Sequence, residues 1–173
     1  MIGKGKSISH GVAALEYDLA KEIDGQAAAT EIARHELYGC TGAEMVQEMK
    51  PYHIDFPNVK NNCLRFEVSP SIEESATFTD ADWAELGNDF MQRMGLANHQ
   101  YIIIRHSGTE SKKEQAHLHI LANRVSLSGE LYRDNWIGKK ATEAANAIAK
   151  ERNFVQSQDI GKVNKAEIKE AMD

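Results

Sequence analysis

Two strand-like runs follow one another at residues 100–106 (QYIIIRH) and 115–124 (QAHLHILANR), with an eight-residue polar segment between them. That segment is short enough for a hairpin connection and too polar to be core, so the runs are expected to pair antiparallel in one sheet. A third run, residues 62–69, alternates: Leu64, Phe66 and Val68 fall on one face, and Arg65 and Glu67 on the other. Pro70 stops it. The opening MIGKGKSIS is compatible with a first strand or an ordered arm.

Helical patterns surround these strands. Ser9 can cap a helix over residues 10–21 with Val12, Leu15 and Leu19 at helical spacing. Thr41 followed by Glu44 makes a capping-box pattern for a short helix that must end before Pro51. Thr79 caps a helix whose stripe is Trp83, Leu86, Phe90, Met91 and Met94, and Gly95 closes it. Asp134 can cap another, with Ile137, Ala141, Ala144, Ala145, Ile148 and Ala149 on its apolar face. Residues 26–38 remain ambiguous, because the alanines favour helix while Ile32 and Leu37 fit neither period. The fold class is therefore α+β: an antiparallel β-sheet of about five strands, flanked by α-helices. Residues 1–155 form one domain. Residues 156–173 form a charged, helix-like extension whose abrupt end suggests that the natural chain continues.

Composition narrows the function classes. The 173 residues, 42% hydrophobic and 27% charged, suit one soluble domain. No apolar run approaches the roughly 20 residues of a membrane span, and no signal-peptide pattern opens the chain. Cys40 and Cys63 are too few for a disulfide scaffold, so a reducing, cytoplasmic setting is expected. A net charge of −6 does not advertise a nucleic-acid binder, and any DNA partner must use a local basic surface.

The chemistry-bearing residues lie in the two consecutive strands. His117 and His119 are two apart and project from one face. His106, at the end of the neighbouring strand, would lie close to the start of theirs. Three imidazoles converging on a point can hold a divalent cation with positions left open. A His-x-His pair is also an ordinary half-buried strand feature, and it is the third histidine that makes the group notable. His10, His35 and His53 show no ligand spacing and read as surface or turn residues, and His99 as a loop residue.

The run at residues 99–130, HQYIIIRHSGTESKKEQAHLHILANRVSLSGE, resembles the central motif of the relaxase/mobilization nuclease family. These are the MobA-type relaxases, whose His-hydrophobe-His pair follows a Gln-containing strand ending in His and precedes an Asn. The Ser69-Pro70 strand end, the Trp83 helix and the MGL before the histidine strands fit as well. The opening resembles Bacteroides-type mobilization proteins. The resemblance implies an enzyme that binds single-stranded or hairpin DNA at an origin of transfer, with accessory mobilization proteins as possible partners. It would nick one strand and leave a 5′-phosphotyrosine adduct. It also implies a divalent metal on His106, His117 and His119, with Mg²⁺ or Mn²⁺ the first choices and Zn²⁺ or Ni²⁺ compatible.

Tyr17 matches the family's N-terminal tyrosine position and is the expected nucleophile, with Tyr52 second. Gln100 and Asn123 would be supporting polar residues. Lys4, Lys6, Arg124, Lys112 and Lys113 are the expected DNA contacts. Ten residues separate His106 from His117, a longer loop than in many relatives. Glu110, Glu114 or Glu67 can supply an outer carboxylate, although Glu67 reads better as a salt-bridged surface residue. The alternatives are a rolling-circle replication initiator, a non-catalytic DNA-binding accessory of the same fold, and a metalloprotein without DNA.

Overall fold

A computed structural model describes residues 1–108 and 115–156. Strand β1 (Ile2–Ile8) leads into helix α1 (Gly11–Leu19), a small hairpin of β2 (Glu22–Ile23) and β3 (Gln26–Ala27), and β4 (Ala29–His35). Helix α2 (Gly42–Met49) runs into a 3₁₀ turn (Lys50–His53), followed by β5 (Cys63–Ser69), α3 (Ile72–Ser75) and α4 (Asp80–Arg93). Strands β6 (Tyr101–His106) and β7 (His117–Asn123) precede the last described helix, α5 (Ile137–Glu151). The main sheet has five strands in the order β1-β5-β7-β6-β4, and every pairing is antiparallel. The α+β expectation holds, with the histidines on this sheet. The expected DNA contacts Lys112 and Lys113, the carboxylates Glu110 and Glu114, and nearly all of the C-terminal extension lie outside the described residues.

Strand alternation divides the sheet's two faces. Leu64, Phe66, Val68, Ile103, Leu118 and Ile120 point toward α4 and α5, where Trp83, Leu86, Phe90, Ala141 and Ala145 complete a buried core. Full burial of each large apolar side chain contributes about 1.5–3 kcal/mol, so this layer fixes the sheet. Gly3 and Gly5 bring α5 close, since a Cβ at Gly3 would lie 2.4 Å from the Ala141 carbonyl oxygen. On the other face a smaller core joins Leu15 of α1 and Met45 and Met49 of α2 to Cys63, Ile102, Ile104 and Leu121. α1 and α2 cover only part of this face. The rest of it carries the polar side chains of β1, β5 and β7.

Several local expectations are met. Thr79 and Asp82 form a complete capping box at α4, and Gly95 follows it with φ +78°. The Thr41 hydroxyl accepts from the Glu44 N–H, but the Glu44 carboxylate accepts from the Cys40 N–H instead of closing the box.

Others are corrected. His10, not Ser9, precedes α1, no side chain caps it, and Val12 is exposed. Trp136, not Asp134, precedes α5, because the Asp134 carboxylate is taken by the Ser7 hydroxyl and the Arg124 guanidinium. The ambiguous segment holds β3 and edge strand β4, and a register shift between Glu31 and Ala33 explains why neither period fits. A bulge moves the alternation onto the other face midway.

Candidate functional site

Register alone assembles the histidines. His106 is directly opposite His117, and His119 is opposite Glu67 of β5, which is opposite Lys4 of β1. Directly opposed residues share a face, as do His117 and His119 two apart, so the three histidines, Glu67 and Lys4 occupy two neighbouring rows on one face of the sheet. One ligating atom from each of His106, His117 and His119 lies within 4.8 Å of the other two. The ring centroids are 4.3–5.4 Å apart.

Hydrogen bonding sets which nitrogens are free. His106 Nε2 donates to the Asp18 carbonyl oxygen at 2.7 Å, satisfying a carbonyl that the last turn of α1 leaves without a helical partner. His117 Nδ1 donates to the Gln115 carbonyl oxygen at 2.7 Å. A carbonyl only accepts, so the other nitrogen of each neutral ring presents a lone pair. His117 Nε2 and His119 Nε2 face one another at 3.1 Å. Burial, then the neighbouring imidazoles, push the His119 pKa down to about 2, and burial also lowers that of His106. Converging imidazole nitrogens suit a divalent cation, and the backbone acceptors of His106 and His117 orient those rings as outer-shell groups do.

Helix α1 frames the site from above. Tyr17 is 61% exposed, whereas Asp18, one residue on, is 1% exposed. The helical turn thus sends one outward and the other into the sheet. Tyr17 and the three histidines line one cavity of about 430 Å³, together with Lys4, Lys21 and Glu67. Lys21 Nζ stands 5.9 Å from the Tyr17 ring centroid. Of the five tyrosines, Tyr17 is the one in this cavity. Tyr101 and Tyr132 are tied through their hydroxyls to Asn88 and the Met94 carbonyl. Tyr38 bonds Glu36, and Tyr52 sits on the 3₁₀ turn.

The residue that sequence reasoning missed is Asp18. Its carboxylate accepts two bonds from Arg65, Nε at 3.2 Å and Nη2 at 2.5 Å. Its Oδ1 lies 3.9 Å from His119 Nδ1. The available signal was a carboxylate three residues after Leu15, on the buried spacing of α1. Glu67 lines the cavity, opposite Lys4 of β1 and His119 of β7.

Two other groups lie elsewhere. Asn123 and Gln100 are buried and bonded to each other at 3.0 Å, and Asn123 also accepts from His53 Nε2 at 2.7 Å. Asn123 shares a face with His117 but is six residues along β7, about 20 Å away at strand rise. The pair ties α2 and the 3₁₀ turn to the sheet and does not reach the cavity. Arg124 is engaged by the Tyr132 and Asn61 carbonyls and by Asp134. Lys4 and Lys6 do stand on the open face.

Residues 17–154 match the family model described as "Relaxase: MobA/VirD2-like, nuclease domain". No curated protein and no solved structure gives a match. Among the described residues, no helix is long and apolar enough to cross a membrane.

Proposed function

The chain belongs to the MobA/VirD2-like relaxases, a family of DNA-nicking enzymes, and from that premise we propose that it cuts one strand at an origin of transfer with Tyr17 as nucleophile. The observation that carries this reading is the shared cavity: an accessible phenol and three converging imidazoles open onto the same space. The Tyr17 oxygen attacks the scissile phosphorus and gives up its proton, and the bond from phosphorus to the 3′ oxygen breaks. The departing oxygen takes a proton and becomes a free 3′-hydroxyl, while the 5′ phosphate stays on tyrosine. The ester keeps the bond energy for resealing.

His106, His117 and His119 are the residues that would hold a divalent cation, Mg²⁺ or Mn²⁺ by preference. Bound there, such an ion polarises non-bridging phosphate oxygens and offsets the charge of the transition state. Lys4 and Lys21, at the rim of the same cavity, place positive charge beside the strand. Single-stranded or hairpin DNA is thus the proposed substrate, with accessory mobilization proteins supplying melted duplex.

The test is covalent capture. Protein is mixed with a random single-stranded and hairpin DNA library and Mn²⁺ or Mg²⁺, then denatured. We expect DNA that survives denaturation on the protein, with the attached peptide containing Tyr17. Metal and DNA binding without any adduct would instead leave a non-catalytic DNA-binding protein of this fold.

A further inference from the structure

Lys21 stands four residues after Tyr17, just past the end of α1, and both line the cavity of the three histidines. Its Nζ lies 5.9 Å from the Tyr17 ring centroid. The C-terminal end of a helix favours a cation at this position. Lys4, the other lysine of the cavity, belongs to the sheet and is directly opposite Glu67. Lys21 instead approaches from the helix, beside the phenol.

Backbone bonds hold this arrangement. The Ala28 N–H donates to the Lys21 carbonyl oxygen at 2.8 Å, and the Ser107 N–H to the Ala28 carbonyl oxygen at 2.9 Å. Ser107 directly follows His106, whose Nε2 donates to the Asp18 carbonyl oxygen. The chain on both sides of Lys21 is thus tied to the end of the strand that carries His106. The two carboxylates of α1 are engaged by other groups, Asp18 by Arg65 and Glu16 by the Ala43 N–H of α2. The charge of Lys21 is also felt at the imidazoles: after burial, it is one of the causes that lower the pKa of His106 and of His119.

Resting on the relaxase reading, we propose that Lys21 is a catalytic residue whose ammonium stabilises the negative charge on the Tyr17 oxygen while its bond to phosphorus forms or breaks. In cleavage the Tyr17 oxygen bonds to phosphorus as the bond to the 3′ oxygen breaks. The phenolic proton passes to water, and the 3′ oxygen takes one from water. In resealing the 3′ oxygen bonds to phosphorus and tyrosine leaves as a phenolate. Lys21 keeps its protons throughout and acts as a point charge. Its flexible stem and three donors let the ammonium move from the ring to the oxygen. Charge resides on that oxygen only between the two end states, so Lys21 speeds both directions alike and leaves their equilibrium in place.

The experiment uses the full chain and, as probe, the oligonucleotide recovered by covalent capture from the random library. Lys21→Met is compared with Lys21→Arg, which keeps the charge. At saturating DNA with Mn²⁺, Lys21→Met should form adduct on the order of 100-fold more slowly than wild type, yet reach the same final yield. Lys21→Arg should recover most of the rate. Calorimetry with Mn²⁺ alone should show Lys21→Met binding at least as tightly as wild type, because a nearby positive charge has been removed. A wild-type rate at saturating DNA, with loss only in DNA affinity, would make Lys21 a phosphate contact and overturn the inference. A slow rate with weaker Mn²⁺ binding and no rescue by arginine would mark a distorted site and overturn it equally. Both outcomes leave the relaxase reading intact. Wild type that yields no adduct from the library overturns that reading, and the inference with it.

Discussion

Asp18 Oδ1 lies 3.9 Å from His119 Nδ1 while Arg65 grips the same carboxylate through two bonds. The backbone carbonyl of Asp18 also accepts from His106. One residue of α1, next to Tyr17 in sequence, therefore holds His106 through its backbone and sets a carboxylate near His119. Loss of outer-shell partners weakens metal binding about 10- to 100-fold. Asp18→Asn should show a loss of that order for Mn²⁺ by calorimetry, with the fold retained by circular dichroism. Unchanged affinity would mean that the carboxylate orients nothing.

Arg65→Met tests the same pair from the other side, and the two variants should differ in stability. The Asp18 side chain is 1% exposed and that of Arg65 21%. An arginine without its partner can still reach water; a buried carboxylate without its partner cannot. Breaking such a pair at the buried partner's expense costs about 3–5 kcal/mol. Thermal melts should place Arg65→Met well below Asp18→Asn, and the double variant above the sum of the two losses. Equal shifts would show that water already reaches Asp18.

Much of this arrangement was legible in the sequence, and the failures have physical causes. Strands β5, β6 and β7 carry long apolar runs or unbroken alternation, and α4 has both a capping box and a C-terminal glycine with positive φ. Local signals and tertiary packing agree there. In β4 they conflict: alanines favour helix, while the bulge between Glu31 and Ala33 spoils the alternation that would reveal an edge strand. Period two puts Asn123 on the face of His117, but an offset of six residues, about 20 Å at strand rise, keeps it from the cavity. Asp18 was hidden because its partners, Arg65 and His119, are distant in sequence.

Acidity should unfold the metal-free protein through its buried histidines. Burial lowers the pKa of His99 and His106, and burial followed by neighbouring positive charge lowers that of His119 to about 2. Unfolded, each titrates near 6.5. Below that pH the unfolded chain binds more protons than the folded one, so stability falls as pH falls, by up to about 1.4 kcal/mol per unit for each such histidine. Above pH 6.5 these groups contribute no slope. Urea midpoints between pH 7.5 and 5 should follow this course, and His119→Gln should flatten it. A level profile would mean that the folded site takes up protons freely.

Tyr17 and His117 should separate cleanly as chemistry and metal affinity. The Tyr17 ring is exposed at the cavity and has no hydrogen-bonded hydroxyl among the described residues, so Tyr17→Phe removes one oxygen without leaving a buried group unpaired. That variant should bind Mn²⁺ and single-stranded DNA as wild type does and form no adduct. His117→Ala removes a lone pair from the converging set and should lose both Mn²⁺ binding and adduct. Its DNA affinity should persist, because Lys4 and Lys6 approach the strand without the metal. Calorimetry, gel retardation and denaturing gels on the two variants read these outcomes separately. Wild-type cleavage by Tyr17→Phe would move the nucleophile to another tyrosine. A His117→Ala protein that still binds Mn²⁺ and forms adduct would remove the histidines from the reaction.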